Sequence, residues 1–109
     1  MATAFETSAC RRSYIRLAYP PGRRPTLMMA GERFDVIDIS ESGLRFHNPA
    51  RLPLADSFRA RVRLLSGGAL DIDADLEWQQ NGEVGVSLAE LIPQSVIREE
   101  QRRAILQGD

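Results

Sequence analysis

The chain has 109 residues, of which 43% are hydrophobic, and this suits a single packed domain. No apolar stretch approaches the length of a membrane-spanning helix, and residues 1–10 lack the basic start and apolar block of a signal peptide. Cys10 is the only cysteine, which excludes an internal disulfide and a multi-cysteine metal site. We therefore expect a cytoplasmic protein with no membrane insertion.

The net charge of −1 hides an asymmetry along the chain. Residues 1–63 hold eleven arginines and six acidic residues, whereas residues 64–109 hold three arginines and nine acidic residues. The chain has no lysine, so every fixed positive side chain is a guanidinium. A bias toward GC-rich codons is one explanation. The other is function, because arginine suits bidentate recognition of phosphate and guanine better than lysine does.

Residues 1–24 are predicted to form a flexible basic arm. They contain five arginines against one acid, Glu6, and few residues of the kind that fill a core. Pro20, Pro21 and Gly22 then interrupt any regular element before the first predicted strand. Residues 25–109 are predicted to be the folded domain.

Short strands are predicted after the arm, because the apolar residues there either form short runs or alternate with polar residues. The first predicted strands are Thr26–Ala30, Arg33–Ile39 and Gly43–His47, followed by a proline-containing loop at Asn48–Asp56. In the second strand, strict alternation places Val36 and Asp38 on one side and Ile37 and Ile39 on the other. Both sides carry apolar groups, which is typical of a strand that is partly covered on each face.

The clearest pattern is a pair of alternating strands, Phe58–Leu64 and Leu70–Trp78, with arginines outside the first and acids outside the second. Such a period indicates an antiparallel pair with one face in solvent. With Ser66-Gly67-Gly68 as the loop, the predicted register pairs Arg59 with Asp75, Arg61 with Asp73 and Arg63 with Asp71. Opposed charges favour this register by roughly 0.2–1 kcal/mol per pair. Trp78 falls on the apolar face and is expected in the core, although an aromatic residue at the mouth of a barrel could also contact a ligand.

Two further elements complete the predicted fold. A three-residue loop, Gln80-Asn81-Gly82, is preferred to a two-residue Asn-Gly turn. It places the apolar residues at 84, 86 and 88 on the same face of the sheet as Trp78. The chain then ends in a helix at residues 94–107 that Gly108 terminates, with Val96, Ile97, Ile105 and Leu106 as its candidate buried stripe. About six short strands and one helix predict an all-β fold, a small antiparallel six-stranded barrel of the split-barrel kind with a C-terminal α-helix.

Two motifs occur in a fixed order. Residues 12–16 (RSYIR) form an RxxxR motif, and residues 38–43 (DISESG) form a DxSxxG motif between two predicted strands. RxxxR alone carries little information, because it recurs at residues 59–63 and 98–102. DxSxxG occurs once. With the hairpins and helix that follow, the chain from Arg11 to Leu106 resembles the PilZ domain family, although Ser42 stands where many members have a second glycine.

The resemblance implies a PilZ-type barrel that binds cyclic di-GMP, a dianion with two guanines. The ligand-binding residues that it implies are Arg11, Arg12, Arg16, Asp38, Ser40 and Gly43. Arg12 and Arg16 would wrap around the ligand, and Arg11 would reach a second, stacked ligand molecule. Asp38 would accept hydrogen bonds from guanine, Ser40 would bond a base or a phosphate, and Gly43 would let the backbone approach closely.

Plainer explanations remain open for several of these residues. Asp38 and Ser40 also suit a simple turn cap, and the arginines of the arm also suit a solvated tail. His47 is the only histidine and has no nucleophile or carboxylate cluster beside it in the pattern, so we interpret it as structural.

The sequence leaves three kinds of function in competition. The first is a cyclic di-GMP receptor whose arm orders around the ligand and signals to a protein partner in motility, pilus or biofilm control. The second is a PilZ-like interaction module that does not bind the ligand. The third is a small nucleic-acid-binding barrel, which the near-neutral charge and the acids at residues 71–77 disfavour. An enzyme is disfavoured because no nucleophile, acid–base pair or metal cluster is visible, and no cofactor is expected.

Overall fold

A computed structural model describes residues 16–107, which form seven β-strands followed by one α-helix. The elements are β1 (Leu17–Ala18), β2 (Thr26–Met29), β3 (Glu32–Ile39), β4 (Gly43–His47), β5 (Ser57–Arg63), β6 (Ala69–Gln80), β7 (Glu83–Leu88) and α1 (Gln94–Gln107). Six strands close an antiparallel barrel in the order β3-β2-β5-β6-β7-β4, and β4 pairs back onto β3. The predicted all-β, six-stranded barrel with a C-terminal helix is therefore confirmed. No helix within residues 16–107 has the length and apolar content to cross a membrane.

An additional short strand, β1, lies beside β3 and was not predicted. Leu17 pairs with Ile39, and both Leu17 and Tyr19 are buried. Tyr19 N–H also donates to the carbonyl of Ile37 (2.9 Å), so these residues pack against the barrel. Residues 1–15, among them Arg11 and Arg12, lie outside the described residues. The division of the chain at residue 24 stays a prediction.

The barrel interior is filled by aliphatic side chains around one aromatic cluster. Phe46 is fully buried and contacts Phe34 and Phe58, with ring centroids 5.3 and 6.4 Å apart and steeply inclined planes. Such tilted and edge-on pairs add about 0.5–1.5 kcal/mol each to the burial of the rings. The alternating apolar residues of the sequence therefore do form the inner face of the barrel.

The β5–β6 hairpin has a different register from the predicted one. Arg61 lies opposite Asp71 and forms an exposed ion pair with it (2.8 Å), so the predicted pairing with Asp73 is wrong by two residues. The whole ladder shifts accordingly: Arg59 faces Asp73, Ser57 faces Asp75 and Arg63 faces Ala69. The turn is Leu65-Ser66-Gly67, in which Gly67 has a φ of 97°. A shift of two residues keeps every arginine on the same face, so alternation alone cannot distinguish the two registers, and the number of opposed charges, three against two, favoured the wrong one.

The β6–β7 hairpin also differs from the prediction at its turn. Asn81 and Gly82 form a two-residue turn with φ values of 55° and 77°, as a type I′ turn requires. The three-residue loop is therefore wrong. The twist of a type I′ turn matches that of the flanking strands, and this preference prevails over the phase argument made from the sequence.

A β-bulge at Glu77 restores the phase that the shorter turn loses. Leu76 pairs with Val86, but the next paired residue, Trp78, lies opposite Gly85. The extra residue keeps Leu76 toward the core and turns Trp78 to the outside, where 41% of its surface is exposed. The expectation that Trp78 belongs to the core is therefore wrong.

The helix α1 is anchored by a buried carboxylate as well as by apolar contacts. Ile97, Glu100 and Ala104 form its buried stripe, whereas Ile105 is 63% exposed and was wrongly assigned to it. The side chain of Leu106 is outside the described part of the chain. Glu100 is fully buried and accepts hydrogen bonds from the Tyr19 hydroxyl (2.8 Å) and from the backbone N–H groups of residues 65 and 66 (2.9 Å each). One side chain thus ties the helix to both β1 and the β5–β6 turn.

Replacing Glu100 is expected to destabilise the fold strongly. Glu100→Ala removes the acceptor of three donors, and we expect a loss of about 2–4 kcal/mol in the free energy of unfolding. Tyr19→Phe removes one donor and should cost about 1 kcal/mol. Urea denaturation measures both. Glu99→Gln is the matched control: its ion pairs with Arg102 and Arg103 lie on the surface, so a loss above about 1 kcal/mol there would contradict the assignment.

Candidate functional site

A β-bulge in β3 sets the direction of Asp38. Val36 pairs with Phe46 and Asp38 with Arg45, so Ile37 is the extra residue between them. Strict alternation would have put Asp38 on the side of Val36, inside the barrel. The bulge instead turns Asp38 to the outer face while Ile39, which follows it, faces the core.

The carboxylate of Asp38 is buried between two arginines. Its Oδ1 accepts a hydrogen bond from Nη1 of Arg16 (2.7 Å), and its Oδ2 lies 2.7 Å from Nε and 2.6 Å from Nη2 of Arg45. Arg45 also donates from Nη1 to Glu83 Oε1 (3.1 Å). Asp38 is only 1% exposed, so these two cations stabilise a charge that would otherwise be costly to bury. The hydrogen bond to Asp38 raises the pKa of Arg45 above its ordinary value.

Asp38, Arg45, Gly85 and Trp78 form a row of cross-strand neighbours over β3, β4, β7 and β6. Gly85 has no side chain to fill the centre of the row, and a methyl group there would overlap the indole ring. The ring of Trp78 therefore lies down over Gly85. The row therefore has a charged end, at Asp38 and Arg45, and an aromatic end, at Trp78, on one surface of the barrel.

The DxSxxG turn forms a second wall beside this row. Ser40 is buried, and both its N–H (2.8 Å) and its hydroxyl (3.3 Å) donate to the carbonyl of Gly43. A Cβ atom at Gly43 would lie 2.6 Å from the carbonyl oxygen of Val86, so no larger residue fits without displacing backbone. Ser40 thus acts as a turn cap in this structure, whereas Asp38 is directed at arginines rather than at the turn.

These walls enclose an open recess of about 470 Å³, within the usual range for small-molecule sites. The residues that line it are Arg16, Asp38, Ser40, Ser42, Gly43, Leu44, Arg45, Glu77, Trp78, Val86 and Ser87. A phosphate can pair with guanidinium groups here, a base can stack on the indole, and the carboxylate can accept from N–H groups. Among the described residues, no three His, Cys, Asp or Glu side chains are grouped so that they could hold a metal ion.

The structure brings together four of the six residues singled out from the sequence: Arg16, Asp38, Ser40 and Gly43. Arg11 and Arg12 lie outside the described residues. Sequence reasoning missed Arg45 and Gly85, and it placed Trp78 in the core. The bulges that direct Asp38 and Trp78 outward cannot be recognised from the alternation of apolar and polar residues in the sequence. Two weak signals existed: a lone arginine between Leu44 and Phe46, and a glycine within the strand at residues 83–88.

A sequence profile of the PilZ domain matches residues 11–107, nearly the whole chain. The match covers every element of the barrel and the helix, together with both motifs. No curated protein matches the chain.

Placing a methyl group at Gly85 is expected to displace the aromatic end of the recess. Gly85→Ala would force the indole of Trp78 away from the strand, because the new Cβ and the ring cannot share the space. Trp78 is the only tryptophan, so its fluorescence reports this movement directly. We expect a shift of the emission maximum in Gly85→Ala and none in Gly68→Ala, where the nearest atom to a new Cβ is 3.8 Å away. An unchanged spectrum in Gly85→Ala would show that the ring does not lie over this residue.

Proposed function

Because the chain belongs to the PilZ domain family, whose members are in general cyclic di-GMP receptors, we propose that the recess of this protein binds cyclic di-GMP. One observation carries the proposal: a buried carboxylate, arginines and an exposed indole meet on one surface of the barrel. These groups match the three kinds of chemistry that the ligand offers, which are base edges, phosphates and flat purine faces.

In the proposed complex, each part of the recess has a separate role. Asp38 accepts hydrogen bonds from the N1–H and 2-amino groups of a guanine, as an acidic side chain accepts from base donors elsewhere. Trp78 stacks on a purine face, since base–aromatic stacking contributes about 1–3 kcal/mol per base. Gly43 leaves room for close approach to the turn, and Ser40, already bonded to Gly43, contributes by holding that turn or by turning its hydroxyl to a base or phosphate.

Arg16 exchanges partners in this proposal. In the structure it is paired with Asp38 through one nitrogen, Nη1, and 56% of its side chain is exposed. A phosphate of the ligand gives it a new bidentate partner as guanine takes its place on Asp38. Arg12 adds a second guanidinium from the same motif, and Arg11 reaches a second ligand molecule.

We propose that the protein acts in the cytoplasm as an adaptor, without catalysis and without a cofactor. PilZ domains are in general ligand-binding adaptors rather than enzymes. The output is then a change of shape: residues 1–16 of the basic arm order around the ligand and present a new surface to a protein partner in motility, pilus or biofilm control.

A PilZ-like interaction module that does not bind the ligand is the second candidate. Both oxygens of Asp38 are bonded to arginines, Oδ1 to Arg16 and Oδ2 to Arg45. A ligand must therefore displace Arg16 from Asp38. If that ion pair is too stable, the ligand does not bind. Calorimetry with cyclic di-GMP, beside GTP and an unrelated cyclic dinucleotide, separates the two candidates.

Removing a motif arginine is expected to weaken binding without unfolding the protein. Arg12→Ala or Arg16→Ala should cost about 1.5–3 kcal/mol of binding free energy, the value of a charge-assisted hydrogen bond, which is about 10- to 150-fold in Kd. Arg16→Ala leaves Asp38 paired with Arg45, so the melting temperature should change little. Titration calorimetry and thermal melting provide the two readouts.

Arg98→Ala is the matched control for this experiment. Arg98 begins an RxxxR pattern of the same spacing, but on α1, away from the recess. We expect no change in affinity. If Arg98→Ala weakens binding and Arg12→Ala does not, the site lies elsewhere on the molecule.

The proposed switch is tested by amide hydrogen exchange with and without cyclic di-GMP. Protection should rise in residues 1–16 and in the turn at residues 38–43, because the dianion gives the arginines of the arm a partner. The part of the β5–β6 hairpin that does not line the recess, residues 57–75, should change little and serves as the internal control. Full protection of residues 1–16 without ligand would exclude ordering of the arm as the switch, even if the ligand binds.

A further inference from the structure

We propose that Arg45 is a positioning residue that makes the recess selective for guanine, by holding one oxygen of Asp38 in place while the other stays exchangeable. The proposal rests on the proposed cyclic di-GMP function and assigns to it a residue outside both sequence motifs. It follows from the unequal way in which the two arginines grip the same carboxylate.

Arg45 is the fixed partner of Asp38 and Arg16 the exchangeable one. Arg45 approaches Oδ2 with two nitrogens, Nε at 2.7 Å and Nη2 at 2.6 Å, whereas Arg16 reaches Oδ1 with Nη1 alone. Arg45 is 35% exposed and Arg16 56% exposed. The hydrogen bond from Nε and the close ion pair from Nη2 hold Oδ2, whereas the single contact of the more exposed Arg16 is easily replaced.

Strand pairing and a second ion pair also restrain Arg45. It lies within β4, with Asp38 as its cross-strand neighbour on one side and Gly85 on the other. Its remaining terminal nitrogen, Nη1, donates to Glu83 Oε1 at 3.1 Å. Glu83 does not line the recess, so this second ion pair tethers the guanidinium without occupying the space of a ligand.

A carboxylate held in this way suits guanine in particular. Guanine presents two adjacent donors, N1–H and the 2-amino group, which require both oxygens of Asp38 in one plane. Arg45 donates one hydrogen bond to Oδ2, from Nε, and each carboxylate oxygen has two lone pairs, so Oδ2 can also accept from guanine while Arg45 stays bound. Oδ1 becomes available when Arg16 leaves. Without Arg45, the carboxylate can rotate toward Arg16, and the site would keep its attraction for a dianion but lose its preference for this base.

The test compares cyclic di-GMP with cyclic di-IMP, the same dianion with hypoxanthine bases that lack the 2-amino group. Titration calorimetry on the full chain gives the ratio of the two dissociation constants for the wild type, Arg45→Lys, Glu83→Gln and Trp78→Ala. We expect the wild type to prefer cyclic di-GMP by about tenfold or more, the value of one lost hydrogen bond to a charged group. Arg45→Lys should reduce this preference to about threefold or less, because an ammonium lacks the rigid planar fork with which the guanidinium joins Oδ2 to Glu83.

Trp78→Ala is the matched control for general damage to the site. Stacking does not depend on the 2-amino group, so this variant should weaken both ligands by similar factors and leave the ratio unchanged. Arg45→Lys retains the positive charge beside Asp38 and is expected to fold. Glu83 lies outside the recess, and Glu83→Gln weakens its contact with Arg45 by removing the negative charge. This variant should lower the ratio by a smaller factor, and it decides the question if Arg45→Lys does not fold.

The outcomes separate this inference from the function on which it rests. A wild-type ratio near one, or a ratio that neither Arg45→Lys nor Glu83→Gln changes, overturns the role of Arg45 even though cyclic di-GMP binds. A fall of both affinities by the same factor in Arg45→Lys also overturns it, since that result needs only loss of charge or of packing. A wild-type chain that binds neither dinucleotide overturns the receptor function together with this inference.

Discussion

Closure of the six-stranded barrel determines which side of each strand faces the core, and strand geometry then alternates the side chains between core and surface. Two strands interrupt this alternation with a single extra residue, Ile37 in β3 and Glu77 in β6. Each bulge turns the residue that follows it outward, Asp38 in one strand and Trp78 in the other. The recess lies between them because two intervening strands contribute Arg45 and the open space above Gly85.

Within residues 16–107 two carboxylates are buried, and they are satisfied in different ways. Glu100 accepts from three neutral donors, a phenol and two backbone N–H groups. Burial and the hydrogen bond to Glu100 raise the pKa of Tyr19 far above its ordinary range, so that phenol keeps its proton. Asp38 is bonded to cations at the edge of a recess, where a ligand can compete for them. The contacts of Glu100 stabilise the fold, whereas those of Asp38 are suited to an exchange of partners.

The sequence predicted the barrel and the helix correctly because both depend on repeated features. Period-two alternation persists over whole strands, and a local irregularity does not obscure it. The bulges, the hairpin register and β1 depend instead on single contacts. The β5–β6 register follows the turn that Glu100 caps from 34 and 35 positions away, and no pattern within residues 57–80 contains that information.

The part of the candidate site that lies within a sequence motif could be predicted from the sequence. Asp38, Ser40 and Gly43 belong to one short segment with a distinctive spacing, and they meet in the structure because the segment is a turn. Arg45 and Trp78 reach the recess through strand pairing, which joins positions 38, 45, 85 and 78 only after the barrel closes. Their contribution is visible in three dimensions and not in the spacing of the sequence.

The hydrogen bonds of Glu100 also restrict how this chain can diverge. A hairpin turn on the surface is ordinarily a place where insertions are tolerated, since its backbone faces water. Here two consecutive amides, those of residues 65 and 66, must meet a carboxylate whose position the helix determines. A longer turn would withdraw them and leave the buried carboxylate with one of its three donors, the Tyr19 hydroxyl. The β5–β6 turn should therefore keep its length for as long as position 100 remains a glutamate.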